Sequence, residues 1–168
     1  MIKTVEQYLE SLNDGREVWC LGEKVADVRT HPTVSTIIRT ASMDYVLPNH
    51  PDYRGLFVTK DEDGEDINFL LTSPKTPQDL LRRRECYTVG IRSGGGVIVH
   101  CMGADALAAF TVAAQVMDSK LGTRYLERVE QYRRHLQKND LAITGAITDV
   151  KGTEAFTLQS RNSTRTFT

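Results

Sequence analysis

Residues 97–110 read VIVHCMGADALAAF. The stretch places His100 and Cys101 side by side, passes a glycine at 103, and runs into an alanine-rich apolar segment. From Ala104 to Leu121 apolar residues fall on nearly every side of a helical wheel, and Gly122 supplies a stop. A helix of that kind belongs inside a bundle, so this stretch predicts a mainly α domain organised around its penultimate helix. The next residues, RYLERVEQYRRHLQKND (124–140), put Leu126, Val129, Tyr132 and Leu136 on one face and charge on the other, the pattern of a covering helix.

Upstream, Val5, Tyr8, Leu9 and Leu12 repeat at helical spacing, with Thr4 and Gln7 placed as a capping box and Gly15 as a stop. EVWCLGEKVADV (17–28) offers two β-prone runs around Gly22, a small hairpin. Pro32 then opens a helix in which Val34, Ile37, Ile38, Ala41 and Tyr45 share a face, ended by PNHP (48–51). GLFVTKDEDGEDINFLL (55–71) reads as a second hairpin turning at Asp63-Gly64. Thr76-Pro77 caps a helix running to about Arg92, with Asp79 in its first turn. Past Asp140, LAITGAIT is a β segment, and the rest turns polar and rich in Thr and Ser. The division expected is a helical domain over 1–140 and a β segment with polar tail over 141–168.

The totals narrow the function classes. The 168 residues suffice for one domain with a proper core, and 40% hydrophobic with 26% charged residues is a soluble globular mixture. Lys and Arg number 21 against 22 Asp and Glu, which leaves no positive field for nucleic acid or an acidic membrane. The start has no apolar run of signal-peptide length and the cysteines (Cys20, Cys86, Cys101) are an odd, scattered set, which points to a reduced, cytoplasmic setting.

Local chemistry alone does not reach a reaction. His100 and Cys101 are adjacent, a poor arrangement for one metal ion, with no CxxC or HxxxH beside them. Cys101 reads as a buried inert thiol, against the alternative of a nucleophile activated at a helix start. SGGG (93–96) lacks the Lys-Ser/Thr of a phosphate loop and reads as an interhelical connection. DEDGED (61–66) has its glycine at the wrong place for an EF-hand and reads as a hairpin tip. Arg82-Arg83-Arg84 point in three directions on a helix and read as a solvated face.

Taken in order, TVEQYLESLNDGREVWCLGEKVADVRTHP (4–32), DLLRRRE (79–85) and the run from HCMGADALAAF through YLERVEQYRRHLQKNDLAITGAITDVKG (to 152) resemble the N-terminal part of the flavin-dependent 4-hydroxyphenylacetate 3-hydroxylase and 4-hydroxybutyryl-CoA dehydratase family. The resemblance implies the helical N-terminal domain of an acyl-CoA-dehydrogenase-like flavoprotein, whose FAD lies between this domain, a middle β domain and a C-terminal bundle. It carries flavin contacts onto Ala146, Ile147, Thr148 and Lys151. In the hydroxylase branch, an Arg, a Tyr and a His bind the phenolic substrate; here those positions are Ala104, Ala108 and Gly145, so the chain is similar to the dehydratase branch. That branch implies a [4Fe–4S] cluster held partly by a Cys-x3-Cys pair. Cys101 matches the second cysteine as the metal ligand, while Val97 stands at the first and cannot ligate iron, which makes the cluster doubtful.

The expectation that follows is an enzyme part acting on a hydroxyacyl-CoA or related small acid, incomplete as a catalyst alone. Two others stand beside it. One is a non-catalytic interaction module pairing with a separate flavin-domain chain, the other a two-component aromatic hydroxylase. Association, as a homo-oligomer or with such a chain, is expected from the apolar helix.

Overall fold

The structure, a computed structural model, describes residues 1–96 and 99–143, with backbone alone at 99 and 100. The elements run α1 (Val5–Ser11), β1 (Val18–Cys20), β2 (Glu23–Val25), α2 (Val34–Ala41), α3 (Met43–Asn49), α4 (Pro51–Phe57), β3 (Val58–Lys60), β4 (Asp66–Asn68), a 3-10 turn (Phe69–Leu71), α5 (Pro77–Ser93), α6 (Val99–Leu121) and α7 (Tyr125–Asn139). The fold is mainly helical with two small antiparallel hairpins, as the sequence predicts. Among the described residues no helix is long and apolar enough to cross a membrane.

The capping box predicted at Thr4 forms, and the cap predicted at Thr76 is a second box. The Thr4 hydroxyl accepts from Gln7 N–H and the Gln7 side chain accepts from Thr4 N–H; Thr76 and Asp79 repeat the exchange at α5. Each box satisfies two of the N–H groups that a helix start leaves orphaned. The first hairpin turns at Leu21-Gly22, both at positive φ (52° and 86°), the conformation a two-residue hairpin loop requires. Val18 pairs with Val25 there, and in the second hairpin Val58 pairs with Asn68.

The expected helix from Pro32 to Tyr45 is two helices, α2 and α3, meeting at Ser42, whose hydroxyl donates to the Arg39 carbonyl. PNHP does not simply end them. Pro48 lies inside the last turn of α3, and Pro51 is the first residue of α4, which the sequence reading assigned to loop and hairpin. The device between them is His50, whose Nδ1 accepts from Asp52 N–H at 3.2 Å and so caps α4 in place of the usual hydroxyl or carboxylate. The second hairpin has arms of only three residues, because Asn68 accepts from Leu70 N–H and winds FLL into the 3-10 turn.

That turn divides the core. Leu70 joins Leu47, Phe57, Phe69, Cys86 and Ala104, while Leu71 joins Leu107 and Leu136. The polar seam is Arg83, which the sequence reading placed on a solvated face and which is only 6% exposed. Its guanidinium donates to the carbonyls of Thr72 (2.7 Å), Ala104 (3.3 Å) and Leu70 (3.4 Å), so one side chain ties the 3-10 turn to α6. Arg82 beside it donates to the Leu56, Gly55 and Val58 carbonyls and lies 3.9 Å over the Phe69 ring. Only Arg84 of the three is solvated.

Helix α6 begins at Val99, five residues before the expected start, and it is buried on one side rather than all round. Ala104, Leu107 and Ala114 face inward; Met102, Phe110, Val116, Met117 and Leu121 are exposed, since the described residues furnish neighbours on one face only. Its Asp118 accepts from Thr123 Oγ1 and from the N–H groups of Tyr125 and Leu126, which caps α7 from the preceding helix. On α7 the inward face runs Leu126, Val129, Arg133, Leu136, so Tyr132, expected inside, is 50% exposed and Arg133 takes its place. Asp140 closes the helix in the left-handed region (φ 43°) and accepts from Lys3 N–H at 2.9 Å, joining the chain start to the bundle.

Replacing Arg83 by Met keeps most of the apolar stem but removes the donor to the Leu70 and Thr72 carbonyls at the 3-10 turn and the tie to α6. The expected loss is about 3 kcal/mol by urea denaturation, whereas Arg84→Met changes stability by about 0.5 kcal/mol or less.

Candidate functional site

Cys101 sits in the first turn of α6 and packs against the cluster of Leu47, Phe57, Phe69, Leu70, Cys86 and Ala104. Burial pushes its thiol well above the ordinary range, and Asp44 and Asp105 push the same way. Cys86, fully buried and 3.4 Å from the Leu56 carbonyl, is pushed up to about 12, again chiefly by burial. Burial thus disfavours the thiolate of both residues in the chain as it stands, which suits packing residues better than activated nucleophiles.

A polar group that the sequence reading did not assemble surrounds Cys101. The Tyr87 hydroxyl lies 2.6 Å from Asp105 Oδ1 and 3.5 Å from the Cys101 carbonyl, and Arg83 Nη1 stands 3.6 Å from the same Asp105 oxygen. Burial, and then the bond to Asp105, raise the Tyr87 hydroxyl, so it serves as a donor. Tyr87 and Arg83 are four apart on α5, and Asp105 is four beyond Cys101 on α6, so helical spacing alone brings the two pairs face to face. That spacing was visible in the sequence; the pairing of α5 with α6 was not. The group can hold a hydrogen-bonding partner at the solvent-exposed carboxylate of Asp105 and fix the orientation of Tyr87 beside the opening turn of α6.

Gly103 explains how the chain returns to this point. A Cβ built there would stand 2.5 Å from Ile143 Cβ and 2.8 Å from the Ile143 carbonyl oxygen, so only glycine lets residues 141–143 lie against α6. The segment thus meets α6 between Cys101 and Ala104. Ala104 is 1% exposed in the same core, and Ala108 is half-buried.

Val97, Gly145, Ala146, Ile147, Thr148 and Lys151 lie outside the described residues, as does the side chain of His100. Among the described residues no three His, Cys, Asp or Glu side chains converge as metal ligands. Val97 stands where the resemblance puts the other cysteine of the pair and cannot ligate iron, so no chemistry is routed through a cluster.

Residues 4–165 match the family described as 4-hydroxyphenylacetate 3-hydroxylase N terminal. The chain belongs to that family. It is 32% identical over 154 residues to the 4-hydroxybutyryl-CoA dehydratase/vinylacetyl-CoA-Delta-isomerase of Clostridium aminobutyricum, covering 90% of this chain and 31% of that protein. It is 33% identical over 150 residues to the 4-hydroxyphenylacetate 3-monooxygenase oxygenase component of Thermus thermophilus, covering 89% and 30%. Among solved structures, the oxygen-tolerant archaeal 4-hydroxybutyryl-CoA dehydratase from N. maritimus superposes with a TM-score of 0.80 at 26% identity, over 92% of this chain and 31% of that one. The oxygenase component of 4-hydroxyphenylacetate 3-monooxygenase complexed with FAD and 4-hydroxyphenylacetate superposes with a TM-score of 0.75 at 30% identity, over 91% and 32%. The chain spans about a third of the length of these relatives.

Burial of the thiols has a direct readout. A thiol reagent at pH 8 is expected to modify half-buried Cys20 first, half-buried Cys101 more slowly because its thiolate is suppressed, and Cys86 only as the protein unfolds. For Cys86 the folded value (about 12) exceeds its ordinary 9.0, so its contribution to stability is complete below pH 9 and is lost as pH rises toward 12. Stability measured by denaturant is therefore expected to decline through that window. Modification of Cys101 at the rate of an exposed thiol would contradict the assignment.

Gly103→Ala is expected to cost about 2 kcal/mol and to free residues 141–143 from α6, seen as loss of amide protection at Ile143.

Proposed function

We propose that this chain is the helical N-terminal part of an FAD-dependent enzyme of the dehydratase branch, acting on a hydroxyacyl-CoA or a related small acid. The observation that carries the reading is the apolar lining at the opening of α6. Ala104 is closed into the core among Leu70, Phe69 and Cys86, and Ala108 lies one turn further along. The resemblance puts the phenol-binding Arg and Tyr of the hydroxylase branch at these positions. Two methyl groups supply no donor to a buried phenolate, whose desolvation would go uncompensated. Superposition on the archaeal dehydratase, with the higher of the two TM-scores, supports the same branch.

FAD would supply the redox or radical chemistry and would be held mainly by parts of the enzyme that correspond to the remaining two thirds of the relatives. This chain would contribute contacts from Ala146, Ile147, Thr148 and Lys151, which follow Ile143 in sequence. Its own polar group would act on the substrate side: Tyr87 donating, Asp105 accepting, and Arg83 holding both in place. The partner expected is a flavin-bearing polypeptide, joined to this chain or separate from it.

The isolated chain, purified without added cofactor, is expected to be colourless and inactive, because a short segment offers too few contacts to offset the cost of immobilising a large cofactor. Supplied with the flavin-bearing remainder of such an enzyme, it is expected to support elimination of water from 4-hydroxybutyryl-CoA. Reduced-flavin-dependent hydroxylation of 4-hydroxyphenylacetate in its place would overturn the branch assignment. A flavin band stoichiometric with the isolated chain would overturn the division of labour.

A further inference from the structure

An open cleft of about 870 Å³ lies between the β3–β4 hairpin, the loop at Thr72–Lys75 and helix α7. It is separate from the Cys101 region, and its floor holds a second buried guanidinium. Arg133 is 4% exposed. Its Nη2 donates to Thr111 Oγ1 on α6, and its Nε faces Glu130 Oε2 at 3.3 Å. Among the described residues Nη1 has no hydrogen-bond partner, and neither has the buried Oγ of Ser73, which lines the same cleft.

Burial leaves Arg133 less well stabilised as a cation than an exposed arginine, and the neighbouring Arg83 adds to this. A desolvated cation with unused N–H groups, and a buried hydroxyl of the same cleft with none of its bonding capacity used, are costly for a fold to keep. An oxyanion satisfies both at once, since a guanidinium offers paired donors and a hydroxyl a third. Lys75, Arg134 and Lys138 line the cleft above this floor, with no ion-pair partner among the described residues. Glu130, which faces Arg133 and also lines the cleft, offsets one of these charges; the surplus that remains on this side suits a dianion better than a single carboxylate.

We propose that the cleft between the second hairpin and α7 binds a phosphate group of a small-molecule ligand, seated on Arg133 Nη1 and Ser73 Oγ. The opposite wall is acidic, formed by Asp61, Glu62, Asp63 and Glu65 of the hairpin tip. Asp61 is engaged in holding the turn, accepting from the N–H groups of Asp63 and Glu65. The other three oppose an anion at the entrance, so the phosphate enters along the α7 side.

The test is titration of the whole chain with inorganic phosphate at fixed ionic strength, followed by amide and arginine side-chain NMR, with sodium acetate as the parallel probe. Saturable binding is expected, with shifts at Ser73, Lys75 and the Arg133 guanidinium. Arg133→Lys, which keeps the charge and removes the fork, is expected to weaken binding about tenfold. Ser73→Ala is expected to weaken it severalfold, and Glu65→Gln to tighten it about twofold by removing an opposing charge. Should Arg133→Lys fail to fold by circular dichroism, Ser73→Ala and Glu65→Gln decide the matter. No saturable binding, binding unchanged in Ser73→Ala, or acetate binding as tightly as phosphate would each overturn the proposal.

Discussion

The fold depends on one buried cation. Arg83 reaches from α5 into the seam between two apolar clusters and gives its hydrogen bonds to carbonyls of the 3-10 turn and of α6. A 3-10 turn satisfies few of its own backbone groups, and two of the carbonyls concerned, at Leu70 and Thr72, are taken up by this side chain. Desolvating a guanidinium is costly, and it is offset here by bonds to the Leu70 and Thr72 carbonyls at the 3-10 turn, with a third to a carbonyl of α6. The consequence is positional. With the turn fixed, Leu70 and Leu71 point into separate clusters, and α6 is held at Ala104, within one turn of both Cys101 and Asp105.

From that clamp the candidate site follows in order. Tyr87 stands one turn beyond Arg83 on α5, Asp105 one residue beyond Ala104 on α6, and the two meet because their helices are pinned beside them. Gly103 then opens a gap in the α6 surface that Ile143 fills, which returns the chain to the same place. The apolar residues on the outer face of α6, Met102 and Phe110 among them, continue from this point along the helix.

What could be read from the sequence was what neighbouring residues decide among themselves. The capping box at Thr4, the cap at Thr76, the hairpin turns at Gly22 and Gly64, and the long helix closed by Gly122 depend on contacts a few residues apart, and each formed. The family resemblance likewise rested on ordered motifs, and the match over residues 4–165 agrees with it. What escaped depends on distant partners. His50 caps α4 though its type gives little warning of it, and PNHP therefore looked like an end when it joins two helices. Arg83 and Arg133 looked solvated because charge normally is; only the packing of the 3-10 turn and α6 around them makes burial tolerable. Tyr132 and Arg133 changed places because one residue of rotation separates an apolar face from a clamped one.

Native-state hydrogen exchange, followed amide by amide in increasing denaturant, tests most directly whether the Arg83 seam holds the structure together. If it does, the amides of α5 near Cys86 and of α6 near Leu107 exchange only through global unfolding, together and as the slowest set, while the β1–β2 hairpin opens locally at far lower cost. Exchange at α6 by local opening, with the 3-10 turn and α5 still protected, would contradict the account.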